Sequence, residues 1–501
     1  MQKRYRQIDV GQSLVLMLLF AAAHLPALAQ GTSTGTGSAV PERKDLLSMD
    51  LEALLNVKVT TASKFAEKLS DAPGIMRVVT RDELQRFHGA TLAEILNRVP
   101  GLALSTASFT DRSMVAARGD QTKINGGHIL FLINGRPTRE VLEGGIISDL
   151  MESFPVNILE RVEVILGPGS VLYGSNAYSA VVNLITRKAD GNQFLVNVVG
   201  GPDNSLAPSA EASAEHGALS LVAAAEAHQV PNWVTPVSTA LFGVEKVIIP
   251  NRGKGAYLGF KDKGLSFNSS YDDWTTDYIE GGVGQATWRR GFADLGYNFR
   301  PTRNWEASLN GTFTRTTFNA KNSIPFITRD SHEFVLEWTN AVKIGDKDRL
   351  TVGALYNRIR GSEIFYYGGS GSIISNGSRP GEAFYAQLDH QFLDNLKLIG
   401  GFQANKIGSL NLKVVPRGGV IWSPISHYTV KALFSEAFRA PSINETGMDY
   451  IPPTAIGGPS LIGNLHLSPE KVATYDLEHG CPVKSRTESV DWKYPVTLLG
   501  S

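Results

Sequence analysis

The chain has 501 residues, and its 48 basic and 48 acidic side chains balance, so charge gives no argument for nucleic acid or another polyanion as a partner. Fifty glycines, 22 Phe, 15 Tyr and 7 Trp with only 19% charged residues favour an aromatic, turn-rich β protein over a cytosolic enzyme. The single cysteine, Cys481, excludes an internal disulfide framework and cysteine-based zinc or iron–sulfur sites.

The N-terminus has the pattern of a secretory signal peptide over residues 1–29. Lys3, Arg4 and Arg6 precede an apolar core from about Leu14 to Ala23, and Ala27-Leu28-Ala29 fits a small-residue cleavage site. The core is far shorter than the roughly 20 apolar residues that a spanning helix needs. No later run approaches that length, so we expect a mature protein in a membrane to cross it with β-strands.

Residues 30–69 are expected to form a flexible N-terminal segment that contains one short strand. Leu46 to Leu55 has helical spacing, and the run Val57-Lys58-Val59-Thr60-Thr61-Ala62 alternates as an isolated strand would. Such a strand is unusual, because it has nothing to pair with in its own neighbourhood.

From Ser70 the pattern indicates a compact α+β domain, expected to end at residue 188. Ile75 to Val79 is a short strand, and Thr80 and Glu83 then form a capping box for a helix that Gly89 ends. A second box at Thr91 to Glu94 opens a helix that Pro100-Gly101 stops. Two helix starts so close together in the sequence predict a small globular unit.

The stretch Ile158 to Lys188 reads as two strands joined by a glycine-rich loop. Arg161 to Leu166 is a strand pattern, and Gly167-Pro168-Gly169 ends it because Gly permits positive φ and Pro lacks a ladder donor. Val181 to Thr186 then resumes an apolar β-branched run.

This loop is not a nucleotide-binding motif. Leu172 occupies the position of the third glycine of a dinucleotide fingerprint, and no long amphipathic helix follows. Ser175-Asn176 stands where a P-loop requires Lys and Ser/Thr.

The stretch does resemble, nearly residue for residue, the end of the plug domain of TonB-dependent outer-membrane receptors, whose pattern is ERVEV-x-x-GP-x-S-x-LYG-x-x-A followed by a VNI-like strand. Arg118-Gly119 is similar to the RG motif of that family, and Ile129 to Ile133 with Asn134-Gly135-Arg136-Pro137 is similar to its LVLIDGRP strand and turn. Asn134 replaces the family's Asp, and Asp120 stands where an aromatic often follows RG.

The resemblance implies structural and gating roles for a set of plug positions. Arg161 and Glu163 would lock the plug to the barrel wall, and the glycines would set the loop's backbone. The set comprises Arg118, Gly119, Asn134, Gly135, Arg136, Arg161, Glu163, Gly167, Pro168, Gly169, Ser170, Tyr173 and Gly174. Val57 to Ala62 would be the TonB box, which adds as an edge strand to the periplasmic energy transducer; a strand that packs into the plug's own small sheet is the open alternative.

After Lys188 long period-2 stretches replace helical spacing, and residues 189–480 are expected to form part of an outer-membrane barrel. Ala293 to Arg300 and Trp305 to Thr314 alternate on either side of a turn and predict a hairpin. Two more hairpins are predicted, from Phe384 to Gln403 and from Val414 to Ser435. One face of each is apolar with aromatics near the ends and the other is polar, as lipid outside and a plug or water inside require.

Two longer segments between hairpins are predicted to be loops. Ile364 to Pro380 contains Phe365-Tyr366-Tyr367, which are weak candidates for ligand contact, with a solvated loop tip as the favoured alternative. Tyr271 to Gly282 carries Asp272, Asp273, Asp277 and Glu280, but it lacks the spacing and glycine of a calcium-binding EF-hand loop. We therefore expect no metal site.

The C-terminal part resembles the inside of the family's barrel rather than its end. Ser435 to Ser442 and Asn464 to Lys471 are similar to the FRAPS and NP-x-L-x-PE-K segments, and alternation stops in residues 481–501. Compared with the family's 22 strands, the resemblance implies that several C-terminal strands are missing and that the tail is aberrant or truncated. An open sheet in lipid leaves backbone groups unpaired at a cost of several kcal/mol each.

The expected fold is thus an α+β plug followed by a partial transmembrane antiparallel β-barrel in a Gram-negative outer membrane. The resemblance implies energy-coupled uptake of a scarce ligand, most often a ferric siderophore, with a TonB-type transducer and outer-membrane lipid as partners. We expect no cofactor, no nucleic acid and no enzymatic activity, because no nucleophile, base and orienting group recur together.

The main alternative to an uptake receptor is a non-transporting remnant with a plug binding module. A signalling receptor is less favoured because Gln30 to Leu46 leaves no room for an extra domain.

Overall fold

In the computed structural model the described residues are 58–87, 91–105, 114–120, 127–145, 147–201, 205–239, 243–278, 284–321, 326–367, 370–425, 428–454, 460–480 and 496–500. The predicted signal peptide, the predicted helix Leu46 to Leu55, Val57 and Cys481 lie outside these ranges. No helix in the described ranges has the length and hydropathy needed to cross a bilayer.

Residues 58–188, which we call the plug, contain nine short strands and four short helices. The strands are β1 (Lys58–Val59), β2 (Glu67–Lys68), β3 (Ile75–Thr80), β4 (Leu102–Ser105), β5 (Met114–Ala117), β6 (Ile129–Ile133), β7 (Arg136–Pro137), β8 (Leu159–Leu166) and β9 (Ala180–Thr186). The helices are α1 (Arg81–Phe87), α2 (Leu92–Leu96), α3 (Ser148–Ser153) and α4 (Ser170–Tyr173), with 3-10 turns at Leu69–Asp71 and Val156–Ile158. These counts refer to the described ranges.

The Thr80 capping box predicted from the sequence begins α1, and a Thr91 N-cap begins α2. The Thr80 backbone N–H donates to Glu83 Oε2 at 2.7 Å, and the Glu83 N–H donates to Thr80 Oγ1 at 3.4 Å, so each residue satisfies an otherwise unpaired amide of the other. Thr91 Oγ1 accepts from the Glu94 N–H at 3.4 Å. The predicted helix starts are confirmed.

A five-stranded sheet in the order β3-β8-β9-β6-β7 divides the plug into two apolar cores. β6 is buried on both faces, as its sequence ILFLI suggests. Its Ile129, Phe131 and Ile133 pack into a cluster with residues of α2 and α3. Leu130 and Leu132 face the other way, into a second cluster that includes N-terminal residues.

Fifteen of the remaining strands form one antiparallel sheet, which we call the wall. It runs through β10 (Gln193–Gly200), β11 (Leu206–His216), β12 (Leu219–Thr239), β13 (Gly243–Asp262), β14 (Leu265–Tyr278), β15 (Gly284–Thr302), β16 (Trp305–Lys321), β17 (Phe326–Ile344), β18 (Asp348–Tyr367), β19 (Ser370–Leu393), β20 (Leu396–Ile407), β21 (Lys413–Ile425), β22 (Tyr428–Arg439), β25 (Glu470–Gly480) and β26 (Val496–Gly500). Between β22 and β25 lie α5 (Ile443–Gly447) and the small pair β23 (Asp449–Tyr450) and β24 (Leu461–Ile462). All three hairpins predicted from the sequence are confirmed by the pairing of β15 with β16, β19 with β20 and β21 with β22.

The connections at the two ends of the wall differ in length. At one end, which we call the turn end, two or three residues join successive strands, as at 263–264 and 345–347. At the other, the loop end, connections reach residues 440–469 between β22 and β25. Outer-membrane barrels have short periplasmic turns and longer outer loops, which orients the turn end toward the periplasm.

Successive side chains of the wall alternate between the plug and the surroundings. Inward residues such as Asp294, Thr312 and Glu337 are polar and buried, whereas outward residues such as Leu309 and Trp338 are apolar and exposed. A soluble two-layer domain would bury the apolar face instead, so this inverted pattern fits a wall with lipid outside.

Both segments predicted to be loops are strand for much of their length. Residues 271–278 belong to β14, and residues 364–367 and 370–380 belong to β18 and β19 with only two residues between them. Asp272 and Asp273 are successive residues of β14, whereas the Glu280 position lies outside the described residues. The loop assignment was wrong because neither strand end alternates as a half-buried strand does. Polar residues occupy both faces at the end of β14, whereas Ile364 to Tyr367 at the end of β18 are apolar or aromatic on both faces.

Candidate functional site: the plug and its contacts with the wall

The N-terminal residues 58–64 are built into the plug rather than extending from it. β1 pairs antiparallel with β2, with Lys58 opposite Lys68 and Val59 opposite Glu67. Val59 and Ala62 are buried in the second core, where Leu130 and Tyr173 join the same cluster. β1 and β2 form a two-stranded sheet of their own, separate from the five-stranded sheet of the plug, and the assignment of residues 57–62 as a TonB box stays a prediction.

The Glu163 carboxylate holds this segment through three donors. Its Oε2 accepts from the Thr60 N–H and the Thr61 N–H at 3.0 Å each, and from Thr61 Oγ1 at 2.5 Å. Arg161 Nε donates to the other oxygen at 2.8 Å, and the Glu163 side chain is 0% exposed. Buried ionised acceptors form strong hydrogen bonds, so removing this carboxylate would leave several donors unpaired.

The expectation that Arg161 and Glu163 lock the plug to the wall is therefore corrected. In the described ranges their hydrogen bonds and ion pair lie within the plug and bind the N-terminal segment. β8 is the second strand of the sheet, so the residues of its buried face point at plug residues and not at the wall. The wall is reached by other charged residues.

Glu337 of β17 is the hub that joins the N-terminal segment to the wall. The Lys64 ammonium forms an ion pair with Glu337 Oε1, and Arg136 Nη1 lies 2.5 Å from Oε2. Lys64 also lies over the rings of Tyr173 and Tyr385, at 4.9 and 4.6 Å from their centroids. A buried carboxylate that serves two cations ties residues 64 and 136 to one strand of the wall.

Asn134 is a second hub, at the turn between β6 and β7. It has a positive φ of 51°, which Asn tolerates better than most residues. Its Oδ1 accepts from the Thr186 N–H at 3.0 Å, while Nδ2 lies 2.9 Å from Asn268 Oδ1 on β14 and 3.1 Å from the Tyr257 hydroxyl on β13. The neighbouring Gly135 N–H donates to Asn183 Oδ1 at 2.9 Å. The position at which the sequence departs from the family therefore bonds the plug to two wall strands.

A fully buried ion pair between α3 and β15 is a contact that no sequence pattern signals. Arg290 Nε and Nη2 donate to the two oxygens of Asp149 at 2.9 and 3.0 Å, and both side chains are 0% exposed. Arg139 makes a similar two-point contact with Glu333 of β17, at 2.9 Å for each bond. Each of these arginines lies inside a segment that otherwise reads as ordinary strand or turn.

The glycine-rich loop after β8 packs directly on the wall. Gly167 has a φ of 115°, and a Cβ there would lie 3.3 Å from Asp476 Oδ2 of β25, where Arg118 forms a 2.7 Å ion pair with the same carboxylate. Ser170, the first residue of α4, donates to the Ala177 carbonyl at 3.1 Å and accepts from the Phe438 N–H of β22 at 3.4 Å.

The remaining positions of the predicted set lie beside these contacts. Gly119 has a φ of 81° and lies next to Arg118, and Gly174 has a φ of 76° at the end of α4. Pro168 and Gly169 are buried in the turn that precedes α4, and the Tyr173 hydroxyl donates to the Thr61 carbonyl at 2.9 Å. The structure thus brings most of the predicted plug residues to the wall or to the N-terminal segment.

A charged cluster joins the plug to the wall at the loop end. The His128 ring lies between Asp120 and Glu470, with Nδ1 2.8 Å from Asp120 Oδ2 and Nε2 2.6 Å from Glu470 Oε2, and it stacks on Tyr178. Burial lowers the pKa of His128, but the two carboxylates outweigh it and raise the pKa overall. Arg439 continues the cluster by pairing with both Glu470 and Glu445.

The three candidate ligand residues diverge at the loop end of β18. Phe365 is 6% exposed and packs against Tyr450 with ring centroids 4.8 Å apart. Tyr366 packs on Phe326, and Tyr367 is 37% exposed. Because Phe365 is buried beneath Tyr450, the structure does not bring the three together as one binding surface. In the described part of the chain no group of three or more His, Cys, Asp or Glu side chains is arranged to hold a metal ion.

Polar side chains of the plug contact the inward face of the wall, and the outward face of the wall is apolar. This arrangement defines a membrane barrel protein with a plug. Residues 68–181 match the family model of the TonB-dependent receptor plug domain, and residues 242–479 match the model of the TonB-dependent receptor-like β-barrel. Together the two segments make up more than half of the chain. The chain belongs to the TonB-dependent receptor family, and as a member it is a Gram-negative outer-membrane protein.

Individual relatives are distant. The vitamin B12 transporter BtuB of Vibrio vulnificus (strain CMCP6) is 24% identical over 426 residues, which cover 77% of this chain and 64% of the relative. The solved ferripyoverdine receptor of Pseudomonas aeruginosa superposes with a TM-score of 0.66 at 15% identity, covering 85% of this chain and 63% of that one. The ferric yersiniabactin uptake receptor FyuA from Yersinia pestis gives 0.62 at 13% identity, covering 82% and 70%. The chain therefore spans about two thirds of the length of these relatives.

Proposed function

We propose that this protein takes up a scarce ligand across the outer membrane by an energy-coupled mechanism in which a periplasmic transducer pulls on residues 58–62. The observation that supports it most directly is the double attachment of this segment. Glu163 bonds Thr60 and Thr61 to the plug sheet, and Lys64 pairs with Glu337 of the wall. Tension on the segment would act on both contacts at once.

The proposal requires β1 to exchange partners. An edge strand that a transducer extends uses its backbone donors and acceptors, and those of β1 are engaged with β2. Release of β1 from β2 therefore precedes capture. A cleft of about 380 Å³ at the turn end, lined by Phe65, Lys68, Lys347 and Asp394 among others, lies beside β2 and gives room for this exchange.

A proline at position 58 tests the coupling. Lys58 is exposed, so Lys58→Pro removes a backbone donor and blocks strand addition without a buried volume change. We expect uptake to be lost while ligand binding at the cell surface persists; Lys58→Ala, which keeps the N–H, should transport normally. Deleting Val57 to Ala62 is a blunter test, because it also removes Val59 and Ala62 from a plug core. Undiminished uptake by Lys58→Pro would refute the coupling role.

For the ligand, we propose a ferric siderophore, with cobalamin as the alternative. Siderophore receptors recur among the solved structures of similar fold, and BtuB relatives are named vitamin B12 transporters. Competition between labelled ferric siderophores and labelled cobalamin for uptake, in a strain deleted for the gene and complemented with it, separates the two. The relatives are described as transporters and receptors, and the proposal contains no bond-breaking step.

A second candidate is a form that binds ligand without transporting it. Among the described residues β10 pairs only with β11, and all eight of its residues are exposed, including Phe194 and Val198. An open edge in lipid is costly. Heat-modifiable electrophoretic migration of the purified chain indicates a closed barrel, and its absence favours this candidate.

A further inference from the structure

Six exposed basic residues form a patch on the outward face of the wall. They lie on β13, β15, β16 and β18; Lys254 is near the middle of β13, and the other five belong to the loop-end halves of their strands. We call this patch the basic stripe: Arg252, Lys254, Arg289, Arg315, Arg358 and Arg360.

The strand registers make the stripe continuous. Arg315 of β16 is opposite His332 of β17, and His332 is opposite Arg360 of β18, so three side chains that can carry positive charge stand side by side. One row toward the loop end, Lys254 is opposite Asp273, and Asp273 is opposite Arg289. Since opposite residues lie about 5 Å apart, the stripe is one surface and not a scatter of charges.

Its charge is not neutralised by the wall. Asp273 pairs with Arg289 at 2.9 Å, and Asp330 pairs with Arg315 at 3.1 and 2.5 Å. In the described part of the chain Arg252, Lys254, Arg358 and Arg360 have no carboxylate within 4.0 Å, although the whole sequence is neutral. At the turn end, by contrast, Arg300 pairs with Glu306 at 2.7 Å. The four residues without a carboxylate partner give the stripe an excess of positive charge.

The stripe begins where the lipid-facing apolar surface stops. On β17 the outward side chains from Ile344 to Phe334 are apolar except for Asn340, a span about the length of strand needed to cross the hydrocarbon, and His332 follows at once. Phe313 and Phe334 are opposite each other, and Phe334 is opposite Arg358. Because residues on one face repeat at about 7 Å, Arg315 and Arg360 lie one repeat beyond this row, at the depth of lipid headgroups, and Arg358 lies at its edge.

We propose that the basic stripe binds the phosphate groups of lipid headgroups in the outer leaflet. Arginine matches phosphate with a planar two-point hydrogen-bonding edge, and neighbouring arginines on adjacent strands suit a headgroup with more than one phosphate. The apolar row immediately below holds the acyl chains of the same lipid. This surface is on the opposite side of the wall from the plug, so its role does not depend on ligand uptake.

The test uses the full chain purified in neutral detergent, with lipid A as the phosphate-bearing probe. Arg358→Gln/Arg360→Gln removes two exposed charges of the stripe, and Arg300→Gln/Arg303→Gln removes two exposed charges at the turn end as the matched control. Each basic residue near an anionic lipid surface contributes about 1 kcal/mol, so the stripe variant should bind lipid A roughly thirtyfold more weakly. The control should bind as the wild type does, and added salt should weaken wild-type binding.

Three outcomes overturn the proposal. An equal loss of lipid A binding in both double variants would show that the attraction is non-specific. Unchanged binding by the stripe variant would show that lipid A binds at another site. If inorganic phosphate at matched total phosphate displaces lipid A from the wild type, the stripe is a site for free anions and not for a lipid. Retained heat-modifiable migration of both variants shows that the comparison is made between folded chains.

Discussion

The side chains of Asn134 in the plug and Asn268 in the wall form a hydrogen bond with a fixed direction. The amide nitrogen of Asn134 donates to Asn268 Oδ1 over 2.9 Å. Each end of this contact is oriented by a further hydrogen bond. The Thr186 backbone N–H can only donate, so it fixes Oδ1 of Asn134 toward itself. Asp294, the cross-strand neighbour of Asn268, forms a side-chain hydrogen bond with it, which orients the Asn268 amide nitrogen toward the carboxyl group.

This chain of bonds predicts that position 134 must be Asn when position 294 is Asp. Asn134→Asp would place a carboxylate oxygen against Asn268 Oδ1, and we expect a loss of about 1–3 kcal/mol in the free energy of unfolding. Adding Asp294→Asn allows the Asn268 amide to turn over and should recover part of the loss. Thermal unfolding of the two single variants and the double variant in detergent measures this coupling; strictly additive losses would contradict it.

Removing the Glu163 carboxylate should free the N-terminal segment. In Glu163→Ala the amides of Thr60 and Thr61 lose a charged acceptor, so we expect their hydrogen exchange to accelerate by roughly tenfold or more. Exchange at single-residue resolution, read by mass spectrometry with fragmentation, makes the measurement. Glu160→Ala, an exposed position on the same strand, is the control and should leave exchange at residues 58–62 unchanged.

The three-membered network at Glu337 predicts an order of stability losses. Glu337→Leu leaves Lys64 and Arg136 buried without their shared carboxylate and should cost about 3–5 kcal/mol. Lys64→Met should cost less, because Arg136 still compensates Glu337. Glu382→Leu, at an exposed position of β19, is the control and should be nearly neutral. Denaturant unfolding of the three variants checks the order, and a larger loss for Lys64→Met would refute the hub.

The cluster around His128 should make the loop-end attachment of the plug depend on pH. A folded-state pKa raised above the usual value of about 6.5 means that charged His128 adds stability at lower pH, and that this stability is lost as pH rises through the raised pKa. The groups that face the ring are Asp120, Glu470 and Tyr178, with Arg439 behind Glu470.

We therefore expect the difference in unfolding temperature between wild type and His128→Gln to be largest near about pH 6 and to shrink toward alkaline pH. His216→Gln, at an exposed site near the turn end, should show no such trend. A difference that stays constant across this pH interval would assign His128 a packing role alone.

Local patterns in the sequence predicted the elements whose stabilisation is itself local. The Thr80 capping box and the hairpin of β15 and β16 are determined by residues a few positions apart, and both are present as expected. At the strand ends near Asp273 and Tyr366 the sequence predicts loops and the structure has strands. One end is polar on both faces and the other is apolar or aromatic on both, so the period of two disappears. α4, with four residues, is too short to show a helical period.

The contacts of the site could not be predicted in the same way. Glu163 and Thr61 are 102 residues apart, and Lys64 and Glu337 are 273 apart, so no short motif joins them. The resemblance singled out Arg136 and the glycine-rich loop, which contact the wall, but it implied a partner in the wall for Glu163, whose hydrogen bonds lie within the plug. It also treated Asn134 as a weakened position, whereas the side chain contacts two strands of the wall.

The placement of Val59 and Ala62 beneath β6 has one more consequence. If these residues were withdrawn, Leu130 and Leu132 would face an open groove that water can enter, and the apolar contacts of that side of the sheet would be lost. The plug would lose stability in the same step that exposes its N-terminal segment to the periplasm. Binding of the segment by the transducer and loosening of the plug would then occur together. After release, burial of Val59 and Ala62 would favour the return of the segment to the plug.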